Sequence, residues 1–249
     1  MTTPAHPSAE QVLASIEQAG GEIHDSRTLS PVQTLPLNEQ ASRILQSSSD
    51  AQDKDDLQAE EAAHKAAASW QIGLQGILLS LQSKEMINFR SIDAQPLFLT
   101  LDGRQTIRLG SPEYRLWNAL PETGEGRSQP DLESMLGKDT FKLAQSRAFR
   151  NKIVRRLPDG TFARAESTLG QQLGDETQSE LVELAKTGKL QGEDADKKIA
   201  ELKKRKMVGQ RKLLYFSMAK GPQFALTVQK LETDLTSDTV SYTHLRAHE

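Results

Sequence analysis

Helix, helix, then a pair of alternating segments: this order recurs three times along the 249-residue chain, and it limits the folds open to the chain more than any other feature. The middle copy is the plainest. DLESMLG and KDTFKLAQSRAFRNK have helical spacing, the second with Phe141, Ala144, Ala148 and Phe149 on its apolar side, and IVRR and TFARA alternate as strands. Between them stands LPDG, where proline presets φ and glycine accepts a positive φ, so a hairpin is expected. In the third copy Asp175 caps ETQSELVELAKTG and Gly188 ends it, EDADKKIAELKKRKM is the second helix, and KLLYFSMAK and QFALTVQKL alternate around Gly221-Pro222.

The first copy is interrupted. SAEQVLASIEQAG places Val12, Leu13, Ile16 and Ala19 on one helical face between Ser8 and Gly20, and WQIGLQGILLSLQS carries a wide face of Ile72, Leu74, Ile77, Leu78 and Leu81. From Ser30 to Asp56, two prolines, three consecutive serines and DAQDKDD offer little to bury, which predicts a mobile acidic, serine-rich insertion near 30–58. MINFRSI and LFLTL around DAQP predict the first hairpin. DGRQTIRLG then forms a short helix closed by Gly110. Ser111 caps the next helix with Pro112 at its first position, and Leu116, Trp117 and Leu120 turn inward.

Helix pairs followed by two-stranded wings are the outline of winged-helix units, a branch of the helix-turn-helix class. The expected fold is α+β and helix-rich, with tandem winged-helix modules at 1–110, 111–168 and 169–230 and the start of a linker at 231–239. A composition of 36% hydrophobic and 26% charged residues, with mean hydropathy −0.57, suits several small modules better than one large core. The absence of cysteine excludes disulfides, thiolate zinc sites and cysteine nucleophiles. No apolar run reaches the roughly 18 to 20 residues of a membrane span, and MTTPAHPSAE lacks the basic and apolar parts of a signal peptide, so no membrane contact and a cytoplasmic location are expected.

A net charge of −3 conceals an uneven distribution. Lys138, Lys142, Arg147, Arg150, Lys152, Arg155 and Arg156 crowd the second helix and wing of the middle copy. Lys197, Lys198, Lys203, Lys204, Arg205, Lys206, Arg211 and Lys212 do the same in the third. In helix-turn-helix folds these elements face the nucleic acid, where cations neutralise phosphates and release counterions. Apart from Lys197 and Lys198, these residues are the candidate nucleic-acid contacts; the plain alternative is a solvated helix face. His24 and His64 have no partner at metal-ligand spacing. Asp53, Asp55 and Asp56 lack the glycine and glutamate of a calcium loop, which leaves a solvated acidic loop, and GEGR at 124–127 lacks the P-loop lysine. Trp117 and Tyr215 sit on apolar faces that favour core packing. No catalytic, cofactor or metal site is expected in these residues.

Four stretches, LQSKEMINF, LTLDGRQTIRLGSPEYRLWNALP, GKDTFKLAQSRAFRNKIVRR and AELKKRKMVGQRKLLYFSMAKGPQFALTVQKLETDLT, resemble in that order the N-terminal part of eukaryotic cytosolic phenylalanine-tRNA ligase alpha subunits. The most specific are LGSPEYRLWNAL, similar to the family's Gly-Ser-x-Glu-x-Arg helix, and LKKRKMV with the strand and Lys220-Gly221 that follow. Coverage runs from about Leu81 to Thr239; the insertion and Pro112, where the family usually has histidine, depart from the pattern.

The resemblance implies winged-helix domains that help bind tRNA ahead of a class II catalytic domain, which handles ATP, phenylalanine and magnesium. It implies tRNA(Phe) and a beta subunit as partners, in a heterotetramer of two alpha and two beta subunits. Catalytic motifs are expected beyond residue 239, which makes the chain a fragment without aminoacylation activity, holding the tRNA body through Lys142, Arg150, Lys203, Lys204 and Arg205. VSYTHLRAHE, residues 240–249, matches the translation of a sequencing-library transposase end and is set aside as a non-native tail. Two rival classes share the grammar: a winged-helix DNA-binding regulator, and a protein-interaction scaffold docking through the helix at Ile72 to Leu81.

Overall fold

A computed structural model describes residues 5–47 and 49–228. The expected linker at 231–239 and the tail at 240–249 lie outside the described residues. In chain order the first elements are α1 (Ala9–Gln18), β1 (Glu22–Ile23), a 3-10 turn (Ser26–Leu29), α2 (Leu37–Gln46), α3 (Asp50–Ser83), β2 (Ile87–Ala94) and β3 (Leu97–Leu99). Next come α4 (Leu101–Leu109), α5 (Pro112–Ala119), α6 (Gln129–Leu136), α7 (Lys138–Arg150), β4 (Val154–Arg156) and β5 (Phe162–Arg164). A second 3-10 turn (Glu166–Thr168), α8 (Glu176–Thr187), α9 (Ala195–Lys204), β6 (Val208–Gln210) and β7 (Leu213–Lys220) complete the described chain. Helices with small sheets make the fold α+β, as expected.

The chain divides into two units. One draws on the described parts of Met1–Pro31, Ala68–Ile92 and Leu214–Glu249, the other on Val32–Ala67 and Asp93–Leu213. The first unit packs α1 and the second half of α3 on a three-stranded sheet of order β1-β7-β2. Val12, Leu13, Ile16, Trp70, Leu74 and Leu78 meet Ile87 and Phe216 in its core. α1 begins as its sequence predicts, in a capping box between Ser8 and Gln11. Buried Ser26 is fully used: its hydroxyl donates to Gln71 Oε1 (2.7 Å) and accepts from the Phe216 N–H (2.9 Å).

Strand pairing departs from the repeat. β7 does not fold back on residues 223–228, which are not strand; it is the central strand, joined antiparallel to β1 through Glu22↔Ala219 and Ile23↔Met218. β2 does not pair with β3; β3 pairs antiparallel with β6, from Leu97↔Gln210 to Leu99↔Val208. Alternation marks a strand but not its partner, and here non-local partners with apolar faces prevail over local turns. The module boundaries at 110 and 230 therefore do not coincide with the units, which interleave along the chain.

Within the second unit, the middle copy folds as its sequence reads. Ser111, with Pro112 at N1, starts α5, and Ser128 starts α6. Leu116, Trp117, Leu132, Phe141, Ala144 and Phe162 fill one core, with Phe141 edge-on to Phe162 at 5.4 Å. β4 and β5 form the expected hairpin, closed by Leu157 N–H to Thr161 O (2.8 Å) and by Asp159 accepting from Thr161 N–H (3.0 Å). Arg127 bridges to Phe162 and widens the wing. Trp117 is core, its indole donating to Thr168 Oγ1 (3.1 Å). Three residues expected inward are exposed: Phe149 at 36%, Ile72 at 64%, and Ala19. Ile72 lies two residues from buried Leu74, about 200° round the helix, so it cannot share that face.

The expected mobile insertion is structured. Leu37, Ala41 and Ile44 stand at i, i+4 and i+7 on α2 and pack with Leu99, Ile107, Leu181, Leu184 and Val208 in a further core. The acids that follow are not a solvated loop. On α3, Asp53 is fully buried and accepts from Arg108 Nε (3.2 Å), Asp50 also pairs with Arg108, and Glu60 meets buried Arg104 at 2.6 Å. α3 and α4 are thus joined by carboxylates on one helix and arginines four residues apart on the other.

Candidate nucleic-acid interface

Three helices end in the same way. Glu85, Lys152 and Lys206 follow α3, α7 and α9 with φ of 56°, 56° and 58°, values that favour glycine. After each, an apolar residue returns its N–H to the helix: Met86 to Leu81 O (3.1 Å), Ile153 to Ala148 O (3.0 Å) and Met207 to Leu202 O (3.0 Å). Each such pair shares a core, so these are Schellman caps with a charged residue at the left-handed position. The basic residues just before the caps of α7 and α9 also offset the negative end of the helix dipole.

The cap of α9 is held by α4. Thr100 Oγ1 donates to the Lys206 carbonyl (2.5 Å) and accepts from the Gly103 N–H (3.2 Å). A Cβ on Gly103 would stand 2.1 Å from the Met207 carbonyl oxygen, so only glycine permits this approach. Beside this junction lies a cleft of about 270 Å³ bounded by α4, α5, α7, Arg205 and Met207.

Five cations line this cleft, and they are of two kinds. Arg205 donates to both oxygens of Glu113 (2.9 and 2.8 Å) and to Thr177 Oγ1 (3.0 Å). Arg147 pairs with Glu201 and lies 3.9 Å from the same Glu113. Glu113 is 5% exposed, so one buried carboxylate holds two guanidinium groups that come from α7 and from the end of α9. A hydrogen bond from Arg147 holds the Glu201 carboxyl below its ordinary 4.5 despite partial burial. Arg115, Lys142 and Arg150 form the second kind and have no carboxylate partner among the described residues. Burial, with Arg108 nearby, pushes the Arg115 guanidinium down from its ordinary range.

The other predicted contacts are dispersed. Lys138, Lys152, Lys204, Lys206 and Lys212 are exposed, and Lys203 is half-buried. Arg155 pairs with Glu166 (2.5 Å), and Arg156 donates to Gly160 O (3.2 Å) beside the Phe162 ring. Arg211 stacks 4.0 Å from the Phe98 ring centroid, and burial pushes its guanidinium down. Among the described residues no cluster of three or more His, Asp or Glu side chains could hold a metal ion, and no helix is long and apolar enough to cross a membrane.

Residues 111–166, the span of α5 through the wing, match the family described as PheRS DNA binding domain 3. The phenylalanine-tRNA ligase alpha subunit of Saccharomyces cerevisiae is 36% identical over 167 residues, which is 66% of this chain and 33% of the relative. The Schizosaccharomyces pombe alpha subunit is 32% identical over 67% of this chain and 32% of its own length, and that of Danio rerio 31% identical over 67% and 32%. Over about two thirds of its length the chain is similar to phenylalanine-tRNA ligase alpha subunits. It spans about a third of the length of these relatives.

The family's Gly-Ser-x-Glu-x-Arg segment is the source of the residues that a search for basic runs misses. Glu113 and Arg115 lie two apart on α5, about 200° round the helix, so one reaches inward to the arginine pair and the other lines the cleft. The motif carried the signal. A charge run could not, because neither residue lies in one.

Proposed function

We propose that this chain is the tRNA-binding N-terminal part of a phenylalanine-tRNA ligase alpha subunit. In the intact enzyme, phenylalanine is joined to tRNA(Phe) with ATP and magnesium in a catalytic region outside the described residues, in the cytoplasm and together with beta subunits. The reading rests on one observation above the others: Arg115, Lys142 and Arg150, from two helices, surround one cleft, and none of the three is held in an ion pair among the described residues. Unpaired cations at such a cleft suit the phosphates of a folded RNA. Arg147 and Arg205 shape the cleft, being already held by Glu113. Lys152, Lys203, Lys204 and Lys206 lie outside the cleft, at or next to the ends of α7 and α9.

The description DNA binding attached to the matching family favours a second reading, in which the wing and α7 take duplex DNA. Competition separates them. With labelled tRNA(Phe) on the full chain, unlabelled tRNA is expected to displace the probe at lower nucleotide concentration than duplex DNA at the same salt. Equal or better displacement by DNA would overturn the tRNA reading. The beta-subunit partnership is checked by co-expression, where the two subunits are expected to purify together.

A further inference from the structure

A duplex offers a protein its phosphates along an outer edge, and surface lysines meet these without a recess. Here the unpaired cations surround a hollow whose wall includes apolar carbon from Pro112, Leu143 and Met207. Leu143 is 64% exposed. It follows Lys142 on α7, while Phe141 and Ala144 on the same helix fill the core, so packing makes no use of it. The volume, about 270 Å³, lies just below the roughly 300 to 1,000 Å³ of drug-sized small-molecule sites, which suits a single nucleotide rather than a larger ligand. Gln105 and Asp102 add an amide and a carboxylate at the rim. Exposed apolar carbon among unpaired cations matches an anionic strand that bears flat rings.

Building on the tRNA-binding reading, the geometry points to a pocket for one unstacked nucleotide of a single-stranded or looped RNA segment. The base lies against Leu143 and Pro112, its polar edge meets Gln105 or Asp102, and the flanking phosphates meet Arg115, Lys142 and Arg150. Such a pocket gives the cleft a preference that phosphate contact alone lacks: it distinguishes an unpaired base from a paired one.

The test uses the full chain and ribo-oligonucleotides of about eight nucleotides, within the range of single-strand sites. Three probes are compared at one salt concentration: an oligoadenylate, the same strand with central abasic riboses, and an RNA duplex of equal length. The intact strand is expected to bind about tenfold tighter than the abasic one and tighter than the duplex. Leu143→Ala, at an exposed position, is expected to erase the difference between intact and abasic strands while leaving the salt dependence unchanged. Equal binding of intact and abasic strands would overturn the pocket, as would a difference that survives Leu143→Ala. Failure of the parent reading looks different: duplex DNA would then displace labelled tRNA(Phe) as well as, or better than, unlabelled tRNA does.

Discussion

Lys206 holds a backbone conformation that favours glycine, between two residues that line the cleft. A non-glycine residue at positive φ costs about 1 kcal/mol or more, and such strain collects where a side chain serves function. Lys206→Gly is therefore expected to raise the stability of the chain by roughly 0.5 to 1 kcal/mol in chemical denaturation and to weaken tRNA binding. A stability loss with unchanged binding would contradict this account of the cap. Glu113 makes the opposite case. Glu113→Ala leaves Arg147 and Arg205 without their shared carboxylate and is expected to cost about 3 kcal/mol or more. Glu201 adds a pH dependence of definite sign. Arg147 lowers its folded pKa, so its contribution is present above the ordinary 4.5 and is lost as pH falls through the lower folded value. The stability gap between wild type and Glu201→Gln should thus be constant at neutral pH and close in acid, as followed by denaturation at a series of pH values.

At the scale of elements, what was legible in the sequence was local. The wing of β4 and β5 needs nothing beyond LPDG and its flanking residues, so reading and structure agree there. β7 was legible as a strand but not as the centre of a sheet, because its neighbours come from the chain start and from β2. α2 carries its apolar spacing openly at Leu37, Ala41 and Ile44, yet prolines and serines around it pointed to a loop. The acids of α3 read as solvated because arginines more than forty residues downstream are what bury them. Of the candidate site, the lysines and arginines of α7 and α9 were legible as charge. Their sorting into committed and unpaired groups was not, since it depends on Glu113 meeting residues from two other helices. The Glu60–Arg104 pair gives this scale its prediction. Each partner keeps one buried atom without a hydrogen-bond partner, Glu60 Oε1 and Arg104 Nη1. Glu60→Ala alone should destabilise by about 3 to 5 kcal/mol, whereas Glu60→Leu with Arg104→Met should be close to neutral or stabilising in thermal denaturation.

For the whole molecule, a net charge of −3 is a poor guide to partners because the charges are sorted. Carboxylates such as Asp53, Glu60 and Glu113 are buried against arginines, while unpaired cations gather round one cleft. The account stands on those cations meeting phosphates, and phosphate neutralisation has a direct signature in salt. The deciding measurement is the affinity of the full chain for tRNA(Phe) across a salt series, for wild type and for the combined Arg115→Gln, Lys142→Glu, Arg150→Glu variant, with folding verified by circular dichroism. The slope of log K against log salt should become shallower by about two to three, near 0.7 to 0.9 for each phosphate no longer neutralised, while Lys186→Glu, outside the cleft, leaves it unchanged. A folded triple variant that keeps the wild-type affinity and slope would contradict the account.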